Sequence, residues 1–210
     1  MQPRPKIIFI DWDQTLNHFR FWGHWRTTRP ADFDIIQQQL FGPSQRDRIH
    51  AWMRGQLTSE DICGWLESEH GWPASRLMRE LQQSCQSEGF TDPSVANLIA
   101  RLRTRGSRIV IATDNMDTFN RWTIPAMDLS AHFDAILNSF DLGALKSDVA
   151  DNGRWPFFDQ FMKNQGVSYK DCVLIDDSTN LEPIANQFGL PYRRVAEHQL
   201  LGDHLTALLD

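Results

Sequence analysis

Ile7-Ile-Phe-Ile10 is a run of four apolar, mostly β-branched residues, and it stops at two carboxylates, Asp11 and Asp13. The run is too brief for a helix of its own, and its composition fits a strand buried on both faces. Strands of that kind belong to parallel sheets covered by helices. Side chains alternate along a strand, so Asp11 and Asp13 share one side for as long as the chain stays extended. Two like charges at that spacing repel, and a divalent cation with oxygen ligands is the simplest remedy. The carboxyl end of a parallel strand is also where open α/β sheets bind ligands. Asp and Thr also cap helices and fill turns, so Asp11-Trp-Asp13-Gln-Thr15 has a plain conformational reading beside the chemical one.

The same design recurs along the chain. Residues 6–11, 108–114, 135–139, 172–177 and 192–195 read as strands, with helical patterns between most of them. After Asp92-Pro93, an N-cap with proline in the first turn, Val95, Leu98, Ile99 and Leu102 recur at helical spacing up to Gly106. Pro156 to Gly166 and Leu181 to Gly189 repeat that plan. Strands alternating with helices predict an α/β fold, a doubly wound parallel sheet covered on both faces.

Residues 17–89 break the alternation. Apolar clusters at helical spacing (Ile35, Ile36 and Leu40; Ile49, Trp52 and Met53; Leu77, Met78, Leu81 and Cys85) imply helices, and Thr58-Ser-Glu-Asp61 reads as a capping box before Ile62, Trp65 and Leu66. The expected organisation is an α/β core domain formed by residues 1–16 and 90–210, with an all-helical subdomain at 17–89 inserted into it.

Composition narrows the function. With 210 residues, 41% hydrophobic and 23% charged, the chain is long enough for a sizeable core. A net charge of -6 and the lack of any basic block argue against a nucleic-acid polymer as partner. No apolar run is long enough to span a membrane, and no signal peptide is read before Lys6, so a cytoplasmic location is expected. Cys63, Cys85 and Cys172 are scattered and odd in number, as reduced buried thiols are.

Four motifs in order carry a resemblance. They are Ile10-Asp11-Trp-Asp13-Gln-Thr15-Leu16, then Ile-Val-Ile-Ala-Thr113-Asp114-Asn115, then Lys146, then Val-Leu-Ile-Asp176-Asp177. Together they resemble the haloacid dehalogenase superfamily in its phosphatase form, over nearly the whole chain. The resemblance implies that Asp11 is the nucleophile, forming an aspartyl-phosphate, and that Asp13 is the general acid and base. Thr113 and the backbone amides that follow it, beginning at Asp114, would hold the phosphoryl group with Lys146. Mg²⁺ would be bound by Asp11, the Asp13 carbonyl, Asp176 and Asp177. The dehalogenase branch lacks an acid at position 13, because halide leaves without a proton. In this family a helical cap between the first two motifs covers the site and selects substrate. Arg20, His24 and Arg26 lie where the chain enters that insertion, and they are the candidates for meeting an anionic substrate.

Two features depart from the family pattern. Lys146 is followed by a long loop, Ser147 to Trp155, before Pro156, with Lys163 and Lys170 as alternatives for its role; Leu181 stands where relatives often carry another acid or amide. The function read here is a Mg²⁺-dependent phosphatase acting on a small phosphorylated metabolite. A phosphotransferase or sugar-phosphate mutase using the same aspartyl-phosphate, and a non-catalytic phosphate-binding regulator, are the alternatives.

Overall fold

The structure, a computed structural model, describes residues 4–18 and 21–209. Five strands form one parallel sheet: β1 (Ile7–Ile10), β2 (Arg108–Thr113), β3 (Ala135–Asn138), β4 (Cys172–Asp176) and β5 (Tyr192–Arg194). Their order is β3-β2-β1-β4-β5. The chain winds outward from β1 to β3, then restarts beside β1 at β4. The order therefore reverses between β1 and β4, and a crevice opens there at the carboxyl ends of the strands.

Residue alternation divides the sheet into its two faces. Ile8 and Ile10, Ile109 and Ile111, and Val173 and Ile175 pack with Leu98, Ile99 and Leu102 of the Val95–Thr104 helix and with Leu205 of the Leu201–Thr206 helix. The intervening residues Ile7, Phe9, Val110, Ala112 and Leu174 pack the other way, against Phe157, Phe158 and Met162 of the Pro156–Gln165 helix and Ala185 of the Glu182–Phe188 helix. Both faces are covered at the centre of the sheet, which explains why the residues of β1, Ile109–Ala112 of β2 and Cys172–Ile175 of β4 are continuously apolar in sequence. The helix expected to start at Asp92 begins at Val95; Asp92 instead accepts the Ser94 amide (2.8 Å) and closes a turn just before it.

Between β1 and β2 the chain is helical. Ahead of the Val95–Thr104 helix, which packs on the sheet, the helices are Trp25–Thr28, Pro30–Gln39, Arg46–Met53, Ser59–His70 and Ala74–Gln86. The Thr58 capping box is present in both directions, with Asp61 as its second member. This cap has a core of its own, in which Trp22, Trp25 and Trp52 are at most 1% exposed. A buried indole needs a partner for its N–H. Trp22 donates to the Leu77 carbonyl (3.1 Å), Trp25 to Glu80 (2.6 Å) and Trp52 to Asp117 (2.7 Å). Met116 and Trp122, from the segment after β2, join the same cluster. No helix among the described residues is long and apolar enough to cross a membrane.

Candidate active site

Register places the acids. Ile10 pairs with Ile175, so Asp11 follows β1 at the level of Asp176, and the Asp11 amide donates to the Ile175 carbonyl at 2.9 Å. Both acids are buried. Asp177 follows, and carboxylate oxygens of Asp11, Asp176 and Asp177 all lie within 4.8 Å of one another. Hard oxygen donors gathered this closely suit a divalent cation.

Lys146 reaches into this cluster. Its Nζ donates to Asp11 Oδ1 at 2.6 Å and to Asp176 Oδ2 at 2.5 Å, and the residue is 3% exposed. Burial alone would lower its pKa, but the charges of Asp11, Asp176 and Asp114 outweigh that and hold it well above the ordinary value. Burial, offset in part by Lys146 but reinforced by Asp176 and Asp177, holds the Asp11 carboxyl well above its own ordinary value. One ammonium does not neutralise three carboxylates, and the residual negative charge favours uptake of a proton or a metal ion.

The long loop after Lys146 is what fixes it. The Lys146 amide donates to Asp114 Oδ1 (2.9 Å), and its carbonyl accepts from the buried indole of Trp155 (2.7 Å). Asp148 accepts the Leu145 amide (2.8 Å) and takes both arms of the Arg54 guanidinium from the cap (2.9 and 2.7 Å). Burial above all pushes the Asp114 carboxyl up to about 6.

Asp13 departs from the extended geometry that the sequence suggested. The chain turns after Asp11: Gln14 has φ +60°, and the Leu16 and Asn17 amides both return to the Trp12 carbonyl at 2.9 Å. Asp11 is buried while Asp13 is exposed, so the two serve different surroundings. Asp13 lines two adjoining cavities. One, of about 260 Å³, holds Asp11, Lys146, Asp176 and Asp177, with Arg46 and His50 facing them from the cap. The other, of about 320 Å³, runs between Trp12 and the cap residues Phe21, Phe41 and Met53.

Thr113 ends β2 and is fully buried, and its Oγ1 has no partner among the described residues. The amides after it are only partly available to a phosphoryl group: that of Asn115 donates to Ser139 Oγ and that of Met116 to Asn115 Oδ1, both at 2.9 Å. His24 stands 3.9 Å from Glu80, and Arg26 lies over the Phe33 ring; neither lines either cavity. Arg20 lies outside the described residues. The cap side chains that do meet the acids, Arg46 and His50, have a sequence signal in their i, i+4 spacing on one helix. Burial, with Arg54 and Arg46 close by, lowers the His50 pKa.

Glu88 also escaped the sequence reading. It accepts from Trp12 Nε1 (2.8 Å), Asn17 Nδ2 (3.0 Å) and Thr123 Oγ1 (2.7 Å), and burial pushes its carboxyl up to about 7. A lone acid at the end of a helical insertion carries no motif.

Residues 5–189 match the haloacid dehalogenase-like hydrolases. The chain belongs to that family. A HAD family enzyme from Bacteroides thetaiotaomicron superposes with a TM-score of 0.73 at 15% identity, covering 94% of this chain and 96% of that one. The same enzyme in complex with magnesium and inorganic phosphate gives 0.66 at 13% identity, with coverage of 93% and 96%. The L-2-haloacid dehalogenase from Xanthobacter autotrophicus, with chloropropionic acid covalently bound, gives 0.64 at 16% identity, covering 91% of this chain and 77% of that one. At such identities the likeness is one of fold, and a haloacid dehalogenase is among the chains that share it. No curated protein matches the sequence.

Proposed function

We propose that this family member is a phosphatase that hydrolyses a small phosphate monoester through an aspartyl-phosphate on Asp11. The observation that carries the reading is the place of Asp13. It lines both the cavity of Asp11 and Lys146 and the apolar one, which in this reading would receive the phosphoryl group and its leaving group. An alkoxide leaving group needs a proton and a halide does not, so an acid common to both cavities favours phosphate esters over haloacids.

In this scheme an Asp11 oxygen attacks phosphorus as the P–O bond to the alcohol breaks, and Asp13 gives its proton to the departing oxygen. Water then attacks the aspartyl-phosphate at phosphorus and yields a proton to Asp13, which releases inorganic phosphate and restores both carboxyl groups. Lys146 holds Asp11 in place and offsets charge as the dianion approaches. The orphan hydroxyl of Thr113 is a hydrogen-bonding group left for the phosphoryl oxygens.

The oxygen donors of Asp11, Asp176 and Asp177 suit Mg²⁺, which when bound neutralises phosphoryl charge; the Asp13 carbonyl is the further ligand that the family resemblance implies. Magnesium and phosphate together in the Bacteroides enzyme of like fold agree with that choice. The test is phosphate release from p-nitrophenyl phosphate with Mg²⁺ and with excess EDTA, beside chloride release from 2-chloropropionate. The expected result is Mg²⁺-dependent phosphate release that Asp11→Asn abolishes without loss of the circular dichroism of the fold. Chloride release without phosphate release overturns the reading.

A further inference from the structure

Arg54 ends the Arg46–Met53 helix of the cap, and its guanidinium takes both oxygens of Asp148, Nε to Oδ2 at 2.9 Å and Nη2 to Oδ1 at 2.7 Å. A guanidinium fork on a carboxylate fixes direction as well as distance. Arg46 and His50, earlier on the same helix, line the cavity of the acids, so Arg54 anchors the end of the element that covers them. The next residue brings two backbones together. Gly55 has φ +68°, and a Cβ there would stand 2.6 Å from the Phe140 carbonyl oxygen, in the Ser139–Leu142 helix of the core. A side chain fits neither that conformation nor that approach. Asp148, for its part, closes a turn on the lysine. Its Oδ2 accepts the Leu145 amide (2.8 Å), and its own amide donates to the Leu145 carbonyl (3.0 Å). The carboxylate that Arg54 grips is thus bonded to the residue just before Lys146, whose Nζ stands 2.6 Å from Asp11 Oδ1.

From this chain of bonds we infer that Arg54 is a positioning residue for the reaction: through Asp148 it sets the backbone that delivers Lys146 to Asp11, so that the ammonium takes its place when the cap is seated. What Lys146 does to the reaction rests on the phosphatase reading; the bridge from Arg54 to the lysine does not. The core also holds the lysine, at its amide through Asp114 and at its carbonyl through Trp155. Those bonds fix the Lys146 peptide, and the Asp148 turn fixes the direction from which the chain arrives. A misplacement of about 1 Å at a reacting pair costs about 10²-fold in rate. Loss of one support among three therefore lowers kcat several-fold without abolishing it. The two side chains of the bridge are 25% and 30% exposed. A pair that open contributes little to stability, so cutting it shifts the loop and leaves the fold standing. Seating the cap and completing the charged site become one event, because the same guanidinium serves both.

The experiment measures kcat and KM for p-nitrophenyl phosphate in saturating Mg²⁺, beside the acetylation of each lysine by dilute acetic anhydride, read by peptide mass. Lys163 and Lys170 are exposed and serve as references. The variants are Arg54→Gln, Arg54→Lys, Asp148→Asn, which keeps an acceptor for the Leu145 amide, and the double variant Arg54→Gln/Asp148→Asn. Arg54→Gln is expected to lower kcat at least about fivefold with KM changed less than about twofold, and to quicken acetylation of Lys146 relative to the references. Arg54→Lys, which keeps the charge but not the fork, is expected to fall between Arg54→Gln and the wild type. The double variant is expected to be no worse than the worse single one, as two ends of one bridge require. Unaltered protection of Lys146 overturns the inference. So does a loss confined to KM, a double variant whose losses multiply, or full recovery by Arg54→Lys, which would credit charge alone. No phosphate release by the wild type would instead count against the phosphatase reading, and acetylation of Lys146 would still decide whether Arg54 holds the lysine.

Discussion

Lys146 is almost entirely removed from water and stands against two carboxylates, with Asp177 and Asp114 nearby. Breaking a buried ion pair from one side typically costs about 3–5 kcal/mol, because the remaining charge is stranded. Lys146→Met is therefore expected to destabilise the fold strongly in EDTA at pH 8. The loss should shrink at pH 5. Asp11 is already held high by burial, and without the ammonium it takes up a proton more readily, which removes the stranded charge. Urea unfolding at both pH values checks this, and a variant as stable as the wild type at pH 8 refutes it. Glu88 gives a second pH effect of the same sign. Its folded pKa, about 7, lies above the ordinary 4.5, so the native state holds the extra proton and its stabilising effect is complete below pH 4.5. That contribution is lost as pH rises from about 4.5 through 7, by up to about 3 kcal/mol at one pKa unit per 1.36 kcal/mol. Glu88→Gln should flatten this part of the profile of Tm against pH and equal or exceed the wild type at pH 8.5. A parallel, unflattened profile would place the titration elsewhere.

At the scale of elements, the loop after Lys146 acts as a clamp on the lysine backbone. The Trp155 indole is fully buried, stacks on Phe188 at 4.9 Å and donates to the Lys146 carbonyl. Trp155→Phe keeps most of the packing but orphans that carbonyl, at a cost of about 1–3 kcal/mol. Because the same bond aims Lys146, kcat should fall several-fold with KM little changed. Denaturant melts and steady-state kinetics together test this; lost stability with unaltered kcat would make the contact purely structural. The elements themselves were legible in the sequence. Strands β1 to β4 are apolar runs that end at or just before a polar residue, and Gly166 and Gly189, with φ near +60° to +70°, stop their helices where only a left-handed residue fits. The three acids were legible because strand ends fix their positions in advance, and Lys146 because the family resemblance implies a lysine at that point in the order. The clamp was not, since a loop from Ser147 to Trp155 has no period, and its bonds to Asp114, Asp148 and Arg54 join residues remote in sequence. Arg46 and His50 were passed over for His24 and Arg26 because proximity to the first motif in sequence is not proximity in space once the insertion folds.

Across the whole molecule, the cap is tied to the sheet domain at points that flank the site. Asp117, buried just after β2, accepts from the Trp52 indole, from the Ser59 hydroxyl (2.6 Å) and amide, and from Arg121, which also pairs with Glu60. Arg54 reaches Asp148 on the Lys146 loop, and Glu88 joins the end of the insertion to Trp12 and Thr123. These bonds seat Arg46, His50 and Met53 over the acids, so any opening of the cap has to break them. Asp117→Ala removes the central tie. It leaves the Trp52 and Ser59 donors unpaired at about 1–3 kcal/mol for each group, while Arg121 retains Glu60. The sheet, whose strands pack on layers that do not include Asp117, keeps its own contacts. Amide exchange in this variant should therefore quicken in the Arg46–Met53 and Ser59–His70 helices and stay slow in β1, β2 and β4, as expected of a locally opening unit. Equal acceleration in cap and sheet would show that the two unfold as one cooperative body, and that the cap has no opening of its own to govern entry to the site.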